Sequence, residues 1–159
     1  MRVAAVLLMV LCLAAVGLTG YLYLNANMVI TGIDCIAADA AGSGEFEAVR
    51  EQLDSGTFAG TPFENGGLGP AEDYQFYTYT VRLQNGTFVR AEVAEVQVTP
   101  MQGDVLQLSG GNVKSLPARS RGSLQATILT RKGNHNVREL MITYYLWGLP
   151  FFVRTTYSA

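Results

Sequence analysis

Acid–base, nucleophilic and metal chemistry needs His, Cys, Asp, Glu or Ser side chains converging in one pocket, and this sequence is short of the first two. Its one histidine, His135, stands in Arg131-Lys132-Gly133-Asn134-His135-Asn136, which reads as an exposed turn. Lys132 and Arg138 nearby disfavour both a charged imidazole and a bound cation. The two cysteines are Cys12 and Cys35. They provide no zinc spacing with a single histidine. No G-x-S-x-G elbow is present, and Ser109-Gly110-Gly111 lacks the following Lys, hydroxyl residue and helix of a phosphate-cradling loop. Glu45, Glu47, Glu51 and Asp54 cluster, as do Glu64, Glu72 and Asp73, but without a calcium-loop pattern they read as solvated faces. These residues predict no catalytic site, no metal and no cofactor; the expectation is a protein that is not an enzyme.

The elements that would position any site begin with a membrane segment. Val3 to Leu24 is almost entirely apolar and no charged residue occurs from Val3 to Ile33. A helix of that length spans roughly 33 Å, the thickness of a bilayer core. The run continues through Tyr21-Leu22-Tyr23-Leu24, beyond the apolar core of a signal peptide, and the nearest cleavage box, Leu24-Asn25-Ala26, has a bulky Leu where a small residue is wanted. An uncleaved signal anchor over residues 1–27 is therefore expected over a cleaved signal. Leu11 before Cys12 argues against a lipoprotein. Arg2 precedes the span and no Lys or Arg follows until Arg50, so the amino end is expected in the cytosol and residues 28–159 outside. Tyr21 and Tyr23 fall where an interfacial aromatic belt would place them. Cys35 is then the single exported thiol, either a small buried hydrophobe on a strand or a link between chains.

With 159 residues, net charge −2, 15% charged and 49% hydrophobic residues, the chain has a folding composition. It has no basic surplus for nucleic acid. Met28 to Ile36 reads as a strand that dissolves into Ala37–Gly44. Phe46, Val49 and Leu53 form the apolar stripe of a short helix ending at Asp54-Ser55-Gly56. Gly56 to Gly69 reads as a long loop, so residues 37–73 are an insertion. From Tyr74 the period is two: Tyr77, Tyr79, Val81 and Leu83 face in, and Thr78, Thr80 and Arg82 face out. Asn85-Gly86 predicts a hairpin turn, which also explains the Asn85-Gly86-Thr87 sequon without a sugar. Phe88 to Val98 places Val89, Ala91 and Val93 inward, then changes parity near a bulge at Val93-Ala94. A short strand at Asp104–Leu108, a polar stretch at Lys114–Gly122, and alternation through Leu124, Ala126 and Ile128 follow. The tail, Arg138–Trp147 and Phe151–Tyr157 about Gly148-Leu149-Pro150, predicts a β-hairpin.

About seven strands at this spacing predict an all-β, immunoglobulin-like antiparallel sandwich. The layout of Val81–Gly86, Val93–Val98 and Leu116–Ala126 resembles late-embryogenesis-abundant-type and CARDB-like domains of the fibronectin-III type. Gly86 stands where the late-embryogenesis-abundant pattern has Pro. The resemblance implies a sandwich with a binding or structural role and no catalytic residues. In the tail, inward Leu140, Ile142, Tyr144 and Leu146 leave Met141, Tyr145 and Trp147, with Phe152, to face the insertion or a partner. Cover by Phe46, Phe58 and Phe63 of the insertion would make them ordinary core. Otherwise they are a partner-binding surface on a membrane-anchored extracytoplasmic module for an envelope protein. A small-ligand carrier or enzyme with a pocket between insertion and sandwich is the alternative.

Overall fold

The computed structural model describes residues 2–64, 66–133 and 137–158. His135 lies outside the described residues. Helix α1 (Arg2–Leu24) contains a 22-residue stretch, Val3–Leu24, long and apolar enough to cross a membrane. It is apolar on all sides and none of that stretch is buried by the rest of the chain. Such a surface is matched by hydrocarbon rather than by water.

Nine strands are described: β1 (Met28–Asp39), β2 (Thr61–Pro62), β3 (Tyr74–Asn85), β4 (Ala91–Val98), β5 (Asp104–Gln107), β6 (Val113–Leu116), β7 (Arg121–Arg131), β8 (Val137–Leu146) and β9 (Leu149–Ser158). They form a five-stranded sheet in the order β1-β3-β7-β5-β2 and a four-stranded sheet in the order β6-β4-β8-β9, and every described pairing is antiparallel. The architecture is an immunoglobulin-like antiparallel β-sandwich. Its main core lies between the sheets. Tyr79, Val81 and Leu83 of β3 and Leu124, Ala126 and Ile128 of β7 meet Ala94, Val96 and Val98 of β4 and Leu140, Ile142, Tyr144 and Leu146 of β8. The period-two alternation assigns these faces as the sequence predicts.

A smaller core lies where the insertion covers the five-stranded sheet. Helix α2 (Gly44–Asp54) starts where the Ser43 side chain accepts a hydrogen bond from the Glu45 amide. It buries Phe46 and Val49 among Tyr74, Phe76, Leu106 and Leu129. Tyr74 and Phe76 have the parity opposite to Tyr79, so the start of β3 is covered on both faces. The long loop is not structureless either, because β2 within it pairs with β5.

Several expectations are corrected. Nine strands replace about seven, and β1 continues to Asp39 instead of dissolving at Ala37. The polar stretch 114–122 contains most of β6 and the start of β7. With only Leu116 of β6 buried, that strand has too little alternation to be read. The bulge in β4 falls between Ala91 and Ala94, a span that includes the expected Val93-Ala94 step, but Val93 faces outward instead of inward.

The largest correction is at Asn85-Gly86. β3 and β4 belong to different sheets, so this is a crossover and not a hairpin. Asn85 is fully buried: its Nδ2 donates to the carbonyls of Val89, Leu116 and Pro117 at 2.8–3.2 Å, and its Oδ1 accepts from the amide and hydroxyl of Thr87. The amide is used to tie the crossover to the β6–β7 connection, which closes the sequon in the folded chain. Gly86 lets the chain pass close to Asn27, where a Cβ would displace the Asn27 side-chain amide and stand 3.1 Å from its backbone carbonyl oxygen.

Candidate functional site

The outer face of the four-stranded sheet carries three of the four residues singled out in the tail. Register pairs Met141 with Arg154, Thr143 with Phe152 and Tyr145 with Pro150. Met141 and Tyr145 on β8 and Phe152 on β9 therefore share one face. Tyr145 is 38% and Phe152 68% exposed, and Met141 is half-buried beside a shallow cavity of ≈ 270 Å³ bordered by Gln97, Glu139 and Arg154. The insertion lies on the opposite sheet, where Phe46 and Phe58 join the smaller core and Phe63 packs at the main one. It cannot cover this face. Strand β9 is also an edge: β8 pairs with it on one side, and no described strand pairs on the other.

Trp147 is displaced from that set. The turn is Trp147-Gly148, with φ of 53° and 74°, joining Leu146 to Leu149. Two consecutive positive φ values are the mark of a type I′ hairpin, the turn whose twist suits flanking strands. The predicted turn at Gly148-Leu149-Pro150 is thus shifted, and Pro150 lies within edge strand β9, where its missing N–H is harmless. Trp147 faces the end of α1 and shares a cavity of ≈ 260 Å³ with Thr19, Leu22, Tyr23 and Leu149.

The sequence reading missed the most polar part of the interior. Arg138, which in sequence stands beside the polar turn at His135, is fully buried and forms a two-pronged pair with fully buried Asp104, both N–O distances being 2.7 Å. The Met101 amide also donates to Asp104. Arg138 shares the parity of Leu140, Ile142 and Tyr144, and Asp104 opens the apolar strand Asp104-Val105-Leu106, so strict period-two counting was the available signal. Close by, Gln107 ties β5 across to β4, its Oε1 accepting from the Val98 amide and its Nε2 donating to the Val96 carbonyl.

Cys35 and Tyr79 pair across β1 and β3 at the edge of this group. Burial pushes the Cys35 thiol up, opposed by the Tyr79 hydroxyl and the Arg138 charge. Burial, then Cys35, push the Tyr79 phenol up, with Arg138 opposing. Both groups are therefore neutral near pH 7, and a protonated thiol is a poor nucleophile. Among the described residues no group lies in good hydrogen-bond geometry with Tyr79 Oη or Arg138 Nε, although Cys35, Tyr79 and Arg138 are close enough to influence one another, and no group of three or more His, Cys, Asp or Glu is placed to hold a metal ion. The acidic residues of α2 behave as a solvated face, with Glu47 paired to Arg50.

No family model and no curated protein matches this chain. Among solved structures, the FixG-related protein from Vibrio parahaemolyticus is 12% identical over 80% of this chain and 94% of that one, with a TM-score of 0.36. The cupredoxin domain of amoB from Nitrosocaldus yellowstonii is 15% identical over 82% and 85%, also at 0.36. The resemblance to late-embryogenesis-abundant-type and CARDB-like domains rests on the sequence alone.

Proposed function

We propose that the chain is a membrane-anchored, non-catalytic β-sandwich that stands outside the cytoplasm and binds or supports an envelope protein through the β8–β9 face. The observation that carries this reading is the uncovered group of Met141, Tyr145 and Phe152 beside the unpaired edge of β9. Exposed aromatics anchor many interfaces, and the open outer edge of a ten-residue edge strand offers backbone N–H and C=O groups for strand addition. The orientation follows from the charge bias about α1. A second reading, a small-ligand carrier, is favoured by the open cleft of ≈ 370 Å³ between insertion and sandwich, lined by Val49, Phe58 and Leu108 among others.

The double variant Tyr145→Ser/Phe152→Ser tests the first reading. Partner recovered from solubilised membranes should fall at least about tenfold, as for loss of two aromatic anchors. The thermal midpoint should move by no more than a few degrees, because both rings are exposed. Unchanged recovery with both rings gone would show that this face does not bind the partner. A small molecule copurifying with the wild-type chain, and lost on Phe58→Ala, would favour the carrier instead.

A further inference from the structure

We propose that the β8–β9 hairpin tip is a second membrane contact, with Trp147 and Leu149 seated in the interfacial layer of the leaflet from which α1 emerges. The proposal rests on reading α1 as a membrane span, and it goes beyond the protein-binding face, which lies further along the same hairpin.

The sandwich is not hung on a flexible linker. Only Asn25, Ala26 and Asn27 separate α1 from β1, and each is held. The amides of Asn25 and Ala26 donate to the carbonyls of Tyr21 and Tyr23, carrying the helix one step further. The buried Tyr144 hydroxyl donates to the Ala26 carbonyl at 2.9 Å, and the Gly86 amide donates to the Asn27 carbonyl at 3.2 Å. The Tyr23 ring lies 5.4 Å from that of Phe151 on β9. The domain is therefore clamped to the end of the span.

The clamp sets the depth of the hairpin tip. Trp147 and Leu149 line a common cavity with Thr19, Leu22 and Tyr23. Thr19 lies five residues before Leu24, about 7 Å back along the helix axis at 1.5 Å per residue. The tip thus descends beside the last turn and a half of α1 instead of standing above its end. That is the depth at which Tyr21 and Tyr23 mark the aromatic belt, and Trp favours the same layer because its ring is apolar and its N–H reaches headgroup oxygens.

A type I′ turn is made with least strain by Asn-Gly or Gly-Gly, yet a bulky Trp holds the first left-handed position here. It is 44% exposed and Leu149 51%, so in water the turn would combine backbone strain with an exposed apolar surface. Seating in lipid accounts for both. Arg119, stacked over Phe88 at 3.9 Å, borders the neighbouring cavity with Tyr21 and Trp147 and stands at the same end of the sandwich, where headgroup phosphates would meet it.

Trp147 is the only tryptophan, so its fluorescence reports on this site alone. The full-length chain is reconstituted in phosphatidylcholine vesicles, with and without lipids brominated near the headgroup end of the acyl chain. Brominated lipid should remove most of the Trp147 emission, and aqueous iodide should remove little. In Trp147→Asn/Phe152→Trp, which puts Asn at a turn position it favours, the new ring on the protein-binding face should show the reverse. Carbonate extraction separates the two layers of the claim. If the chain resists carbonate but Trp147 ignores brominated lipid and is freely quenched by iodide, the span stands and the hairpin contact is overturned. Release by carbonate overturns both. Protection of Trp147 from iodide that appears only when a membrane protein is added would assign the tip to a protein and overturn the lipid contact.

Discussion

Asp104→Ala should destabilise the sandwich by about 3–5 kcal/mol, because it leaves the Arg138 guanidinium buried and unpaired in a low-dielectric interior. Arg138 has no route to water: the side chain is fully buried and its Nε already lacks a partner in good hydrogen-bond geometry among the described residues. A domain of this size is stable by only about 5–15 kcal/mol, so the loss should be visible as a lower denaturation midpoint in urea. Arg138→Met should be damaging for the complementary reason, since the buried Asp104 carboxylate would lose both guanidinium bonds and keep the Met101 amide on its Oδ2. Removing both charges with Asp104→Leu/Arg138→Met should recover much of the stability, as replacing a buried ion pair by packed apolar groups often does. A loss below about 1 kcal/mol for Asp104→Ala would mean that the pair is solvated and exposed in solution.

Val81→Asp should cost several kcal/mol, since the new carboxylate must be buried unpaired or take up a proton. Val81 is fully buried, paired with Ile33 on one side and Leu124 on the other. Thr80→Asp, one residue earlier, points to the outer face of the same sheet. There it stands opposite Asp34, itself bridged to Arg82, and near the Gln125 amide. Its cost should be the like-charge effect of an exposed cross-strand pair, within about 1 kcal/mol. Thermal melting of the two variants in detergent gives the comparison. Equal midpoints would contradict the assignment of faces on β3.

The alternation that made β3, β7 and β8 readable is the same physics that hid the polar interior. Leu140, Ile142, Tyr144 and Leu146 announce an inward face because all are apolar. Arg138 shares that face, and its charge made it look like part of the neighbouring polar turn. Only the partner Asp104, 34 residues away on another strand, makes its burial tolerable, and such pairings are not local in sequence. The two turns failed in opposite directions. Asn85-Gly86 has hairpin chemistry but serves a crossover, because the Asn amide is needed to satisfy carbonyls from β6 and its loop. Trp147-Gly148 lacks the usual first turn residue yet forms the hairpin. That Met141 and Tyr145 face outward was legible from parity, whereas the place of Phe152 beside them follows from the β8–β9 register. That the insertion lies on the other sheet was not, since strand order across a sandwich depends on which long-range pairs form.

A photoreactive residue at position 152 in intact membranes probes the β8–β9 face, with the same residue at position 52 on helix α2 as the comparison. The first position should trap an envelope protein with an extracytoplasmic face, and the second, on the opposite side of the sandwich, should trap none. Equal trapping at both positions, no adduct at position 152, or an adduct there with a cytosolic protein would contradict binding of an envelope protein through the β8–β9 face.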